Sequence, residues 1–429
     1  MNARSHPRRQ HGAATLIVVM VLFFVMSLVA AYASRNLIFE QKTSANLYLA
    51  TSVAGTADAG LDWALGLLNS GRIDDDCKPS TNPLAPSFRQ RYLDFDTSSG
   101  GIAVKPGVRD GPLWPMCWFD SGANAWNCHC PSDPAAPGSI ATTPSATAVP
   151  SFRVRFVNLD NAVPPTRSGM VRVEVQACPQ FDAACLSFPA AHATECTGTA
   201  CAMIALSPGL KSPPVTALTA RGSIGAPLTA SSPNAGGAGF AVVAGGSIAP
   251  TVIAHGPAGV PASRLMYPAA PSLSDPLLTE ERMFAAVFGA WPLTYDAQPG
   301  AVTIDCSSSC GSTVIRNAIE LNPGRVFVLD GDVALDGGAP IGTETEPVTL
   351  VVNGNLGFSA PTTVHGLVYV RAANWVTSGH GEILGAVVAQ GDVTGAGSFE
   401  ILYDKAILER LQHASGSMVL IPGGWKDFP

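Results

Sequence analysis

The sequence predicts an α+β/β protein: a long amino-terminal transmembrane helix, then a small α+β head, then a carboxy-terminal parallel β-solenoid. Three observations carry this expectation. Leu16 to Ala33 is almost wholly apolar, inside a stretch from Gln10 to Ser34 that has no Asp, Glu, Lys or Arg. Two central segments, "SFRVRFVNLDNA" and "MVRVEVQAC", alternate apolar with polar or charged residues, as strands do. Toward the carboxy terminus one short phrase returns again and again: two apolar residues, a tight turn, a small polar residue and another apolar one.

At 429 residues the chain exceeds one ordinary core, so more than one folded unit is expected. Only 13% of it is charged, while 43 Gly and 35 Pro favour strands and turns over helical bundles. The net charge of -7, with no basic stretch after the first ten residues, argues against a nucleic-acid partner.

The apolar run is long enough to span a hydrocarbon core of about 30 Å. Arg4, Arg8 and Arg9 precede it, which keeps the amino terminus cytoplasmic and places the bulk outside. A cleaved secretory signal is the competing reading, since Ala31-Tyr32-Ala33 offers a small-residue site. Against it, "EQKTSANLYLATSVAGTADAGLDWALGLLNSG" continues without proline or turn signal to Asn69-Ser70-Gly71. Within it Leu47, Ala50, Ala54, Ala57, Leu61, Ala64 and Leu68 recur at spacings of three and four, the stripe of a helix packed along another surface. Cleavage after Ala33 would sever that helix, so one continuous helix from about Ala13 to Asn69 is expected.

All ten cysteines follow the apolar run: Cys77, Cys117, Cys128, Cys130, Cys178, Cys185, Cys196, Cys201, Cys306 and Cys310. Their even number and close clusters predict disulfides in an oxidising compartment, with the connectivity left open. "NCHC" invites a zinc reading through Cys128, His129 and Cys130, but no second Cys/His pair follows at finger distance. The runs around 208–238 are rich in Pro, Gly, Ser and Thr and read as a linker.

The repeated phrases are "VVAGGSI", "VLDGDV", "VVNGNL", "VRAANW" and "VVAQGDV", turning at Gly246, Gly331, Gly354, Ala373 and Gly391. The last three spacings are 23, 19 and 18 residues, a period typical of parallel β-solenoids. An insertion, "SDPLLTEERMFAAVFGAW", predicts a helix near 274–290, capped by Ser274 or Thr279 and covering an open face or end.

The basic leader, Gly12-Ala13, the apolar helix and "SRNLIFEQKTSANLYLATSVAGTADAGLDWAL" together resemble the amino-terminal region of PilX-like minor pilins of type IV pilus systems. The resemblance implies removal of residues 1–12 by prepilin peptidase, at a processing site formed by Gly12 and Ala13. It also implies other pilins and minor pilins, and the inner-membrane pilus assembly platform, as partners. Ile17 stands where major pilins carry a glutamate, which fits the PilX-like subfamily rather than a major fibre subunit; Asp58 stands where the family usually has glutamate. The block from about Gly239 to Leu411 resembles the carboxy-terminal module attached to some PilX-type pilins.

An enzymatic solenoid would gather carboxylates and bases on one face, and Asp330, Asp332, Asp336, His365, His380 and Glu382 are the candidates. Asp330 and Asp332 flank Gly331 in a tight turn, where Asp is preferred for local hydrogen bonding; a calcium site there is the weaker reading. No G-x-S-x-G, H-E-x-x-H or P-loop pattern occurs, so neither an enzyme nor a cofactor is expected.

The expected division is a leader 1–12, a helix 13–70 with its transmembrane part at 13–34, a disulfide-containing α+β region 71–207, a linker 208–238, the solenoid 239–411 and a tail 412–429. The expected function is a membrane-inserted minor pilin that primes or decorates a pilus tip, with its bulk periplasmic until assembly carries it to the cell surface. The alternative is a membrane-anchored carbohydrate-binding or carbohydrate-active β-helix protein.

Overall fold

The computed structural model of the chain describes residues 12–106, 108, 113–132, 149–159, 169–190, 195–232 and 239–424. Of the expected leader only Gly12 is described, and at the Gly12-Ala13 processing site only the backbone. The chain divides into two units between Gly55 and Thr56.

One α-helix runs without a break over Gly12–Leu68. Neither proline nor glycine interrupts its first forty residues, which is why the apolar run and the amphipathic stripe join in one element. Residues 15–51 are all exposed, Phe23 and Tyr48 each to 74%.

In the second unit the last turns of this helix lie on an antiparallel sheet. Its six strands run in the order Gly416–Leu420, Ala200–Pro208, Met170–Cys178, Ser151–Val157, Met116–Asp120 and Ala125–His129. Ala57, Leu61, Ala64 and Leu68, the far half of the stripe, are buried. Gly60 permits the closest approach, since a Cβ there would stand 2.7 Å from Val175 Cγ1. Trp63 packs edge-on against Phe88 and Phe152.

The two alternating segments are adjacent strands, but they are covered on both faces: Arg155 and Glu174, two charged positions of the alternation, are 2% and 0% exposed. Phe188 covers them, with the Arg155 guanidinium 4.3 Å from its ring centroid. Alternation reports two different faces, and a covering loop converts the polar one into a second interior.

The expected linker, 208–238, is corrected by this structure. It contains the strands Leu218–Ala220 and Leu228–Ser231, both members of a second sheet of 12 strands in which every pairing is parallel. Small residues are what this stretch needs, because Ala217, Ala220, Ala226 and Ala230 fill the interior at 0% exposure. The expected tail is corrected too. Gly416–Leu420 pairs antiparallel with Ala200–Pro208, so residues 209–415 lie between two neighbouring strands of the head sheet.

Within that insertion the chain climbs through parallel rungs with three runs each. The first run stacks Val326, Thr349, Leu367, Ala386 and their neighbours. The second stacks Cys310, Val333 and Leu356, and further along Trp375, Val393, Ile224 and Ile248. The third stacks Ile341, Val364, Ile383, Ile401, Ala230 and Ala254.

Chain order and stacking order differ. The earliest rung, Leu218–Ala220, rests on Val387–Ala389 of one of the last, and the chain winds outward from there to Met266 before reappearing at the other end at Ala301. The helix Glu280–Phe288, capped by the Thr279 hydroxyl, packs Phe284 and Phe288 on Tyr369 and so covers the outer side of the first run.

Gly354 is tight for a reason other than positive φ: a Cβ there would stand 2.5 Å from the carbonyl oxygen of Gly331 on the neighbouring rung. At Gly385, φ is +138° and a Cβ would meet the Gly366 oxygen at 2.0 Å.

The returning strand is held on its second edge by the residue that ends the long helix. Asn69 Nδ2 donates to the Met418 carbonyl at 2.8 Å, and the Met418 N–H donates to Asn69 Oδ1 at 2.8 Å. Asn69→Leu should strand both buried groups and lower stability by about 1–3 kcal/mol for each one left unpaired. Urea unfolding of the full chain in detergent reads this directly, and an unchanged midpoint would mean that Asn69 contributes nothing to the strand.

Candidate functional site

The long helix is the element with the plainest functional chemistry. Its apolar part crosses 18 residues and more at a mean hydropathy of 2.8, and by length and composition it can span a membrane. Arg35, Glu40 and Lys42 are the first charges after the run. Its polar side chains are turned back on the helix: Ser27 Oγ donates to the Phe23 carbonyl at 2.8 Å and Thr43 Oγ1 to Phe39 at 2.9 Å, which removes free donors from an apolar environment.

All ten cysteines are paired: Cys77–Cys130, Cys117–Cys128, Cys178–Cys185, Cys196–Cys201 and Cys306–Cys310. Cys128 and Cys130 belong to different disulfides, so "NCHC" holds no thiolate for zinc. Cys117–Cys128 joins adjacent strands, and Cys77–Cys130 ties the segment after the helix to the end of that hairpin. Cys306–Cys310 closes the bulge on the outermost rung of the stack.

The candidates for a catalytic or calcium site are placed apart. Asp330 and Asp332 sit where the first run turns into the second. Asp332 Oδ1 accepts from the Asn355 N–H at 2.7 Å, and Asp330 Oδ1 from Asn353 Nδ2 at 3.2 Å, so both carboxylates link one rung to the next. Asp336 caps the helix Ser312–Leu321 from the adjacent rung; the N–H and hydroxyl of Ser312 hold its carboxyl below the usual carboxylate range.

His365, His380 and Glu382 lie on or beside the third run. His380 Nδ1 is engaged by Ser398, Glu382 accepts from Thr363 Oγ1 at 3.3 Å, and His365 Nδ1 is buried without a partner. Among the described residues no group of three or more His, Cys, Asp or Glu converges to hold a metal ion.

Two clefts remain. One, of about 370 Å³, lies along the seam between head and insertion and is lined by Arg72, Arg89, Lys105, Arg316, Arg325 and Arg410. These cations serve the seam itself. Arg89 donates to the carbonyls of Leu68, Gly324 and Gly416, Arg325 to those of Pro299 and Ala301, and Arg410 to that of Glu344. Burial, with Arg325 nearby, pulls the Arg89 guanidinium down to about 10, so it stays charged at neutral pH. The second cleft, of about 550 Å³, opens at the corner beside the covering helix, between Trp291 and Gln390.

One buried ionic group was not legible in the pattern. Glu174 accepts from Arg172 Nε at 2.8 Å and from the Arg155 guanidinium and Thr197 on its other oxygen. The only signal was two arginines and a glutamate in strands with apolar neighbours, which a solvent-facing sheet would show equally.

Residues 11–62 match the model of the PilX N-terminal family. The similarity to PilX-type pilins covers the long helix alone, and the match ends before the head sheet begins. No curated protein matches the chain. Among solved structures the competence-associated pilin ComZ from Thermus thermophilus aligns over 88% of this chain and 97% of its own, at 11% identity and a TM-score of 0.21, too low to carry an argument about the body.

Glu174→Ala should destabilise the head by about 3–5 kcal/mol, because it leaves Arg155 charged, buried and unpaired. Asp330→Asn, at an exposed turn, should change stability by less than about 0.5 kcal/mol. Equal thermal midpoints for the two variants would overturn this ranking.

Proposed function

We propose that the chain is a minor pilin that enters the inner membrane through its long helix, is cut after Gly12 by prepilin peptidase, and joins a type IV pilus as a priming or tip subunit. The observation that carries this reading is the helix itself: residues 15–51 are all exposed, most of them apolar, within the segment that matches the PilX N-terminal family. An unpartnered apolar helix of this length is stable in a bilayer or among other helices of its kind and nowhere else. Assembly exchanges the first environment for the second.

We read the insertion as a parallel β-solenoid, supported by its parallel registers, its three runs per rung and the residues that recur at each turn. A module of this bulk on every subunit would crowd a helical fibre, which favours a terminal position. On this reading the module is a non-enzymatic display surface.

Amino-terminal sequencing of the mature protein should return Ala13, and Gly12→Val should leave the leader attached, since the family's cleavage follows a glycine and a β-branched residue crowds the backbone there. A mature chain beginning at or beyond Asn36 would make the segment a secretion signal. Replacing Leu210–Ala414 by Asn-Gly keeps the return strand in the head sheet, whereas truncation at Gly239 would remove it. The excised form should be processed normally yet support fewer pili, and Gly385→Val should do the same more mildly. Wild-type pilus number with the excised form would end the priming role.

A further inference from the structure

The corner cleft beside the covering helix has the features of a built binding site. Three successive rungs place Asn353, Arg371 and Gln390 at equivalent positions, each following a paired strand residue: Arg371 N–H donates to Val352 O and Gln390 N–H to Val370 O. The three side chains therefore form a column with the sheet's spacing of about 4.8 Å.

Gln390 is 3% exposed, yet its carboxamide makes no hydrogen bond among the described residues, and it lines the cleft. Its polar atoms reach the solvent of the cleft, and there a carboxamide offers two donors and an acceptor to a ligand.

Across the cleft stand Trp291, 52% exposed, and Leu293, 84% exposed. An indole held in the open beside a column of planar polar groups provides a flat apolar platform on one side and directional hydrogen bonding on the other. Charge is balanced. Asp296 Oδ2 pairs with Arg371 at 3.3 Å, Glu280 pairs with Arg221 at 3.2 Å, and Asn353 Oδ1 fixes the same Arg371 Nη1 at 2.9 Å. Arg371 thus presents its remaining N–H groups as oriented donors and carries little net attraction for anions.

We infer that this corner binds a neutral glycan, with a sugar ring stacked on Trp291 and hydroxyl groups taken by Gln390, Asn353 and Arg371. A pyranose matches both halves of the site: one face of C–H groups for the indole, and equatorial hydroxyls that both donate and accept for the amide column. A column that repeats along the stack suits a chain of sugars better than a single one. This inference stands independently of the pilin reading, because it uses only the body of the protein.

The test uses the full chain in a zwitterionic, sugar-free detergent, with cellohexaose, mannohexaose and chitohexaose as neutral probes and polygalacturonate as the anionic one. Calorimetry should find at least one neutral hexamer bound, with an affinity unchanged between about 0.05 and 0.5 M salt. Trp291→Ala and Gln390→Leu should each weaken it about tenfold or more, Trp291→Phe less, and Trp126→Ala, on the distant head sheet, not at all. Failure of all three neutral probes, binding that survives both Trp291→Ala and Gln390→Leu, or salt-sensitive binding of polygalacturonate alone would each overturn the inference.

Discussion

Everything beyond the long helix depends on one requirement: a chain that leaves the head sheet at Pro208 must come back to the same place at Gly416. The two residues are register partners, so the whole insertion hangs between neighbouring positions of one antiparallel pair. Two side chains and one glycine backbone enforce the return. Asn69 pairs with both polar groups of Met418, the Arg89 guanidinium gathers the Leu68, Gly324 and Gly416 carbonyls, and Gly416 adopts φ +135° where a Cβ would meet Ser207 O at 2.2 Å. The carbonyl of Leu68 is one of those a helix leaves unsatisfied at its end, and a buried cation is a fitting partner for it. Helix end, insertion and edge strand are thereby joined through one guanidinium.

Much of this was legible in the sequence, and the parts that were not have a common cause. The helix was readable because its apolar run and its stripe use the same period with no breaker between them. The recurring turns were readable because each needs a small residue where rungs meet. The rung at Leu218 was hidden by composition, since alanine and threonine fill a narrow interior as well as they fill a linker. The return strand was hidden by distance: nothing in "GSMVL" says which sheet it completes.

The site was less legible than the fold. Cysteine pairing could not be read from spacing: four pairs join near neighbours, but Cys77 reaches across 53 residues to Cys130, past the nearer Cys117 and Cys128. Asp330, Asp332, His365, His380 and Glu382 looked like a constellation because they are close in sequence pattern, but the turn of the chain distributes them over different corners. Trp291 and Gln390, a hundred residues apart, carried no signal at all. Only stacking brings them to one cleft.

The mismatch between chain order and stacking order has a kinetic side. Leu218 is made early, but the strand it rests on, Val387–Ala389, is made near the end, and so is the final strand of the head. Until both arrive, the first rungs present an open parallel edge, the kind of edge on which chains join one another. Contacts of such long sequence separation also form slowly. A protein built this way is exposed while it folds, and completion of both sheets waits for the last fifty residues of the chain.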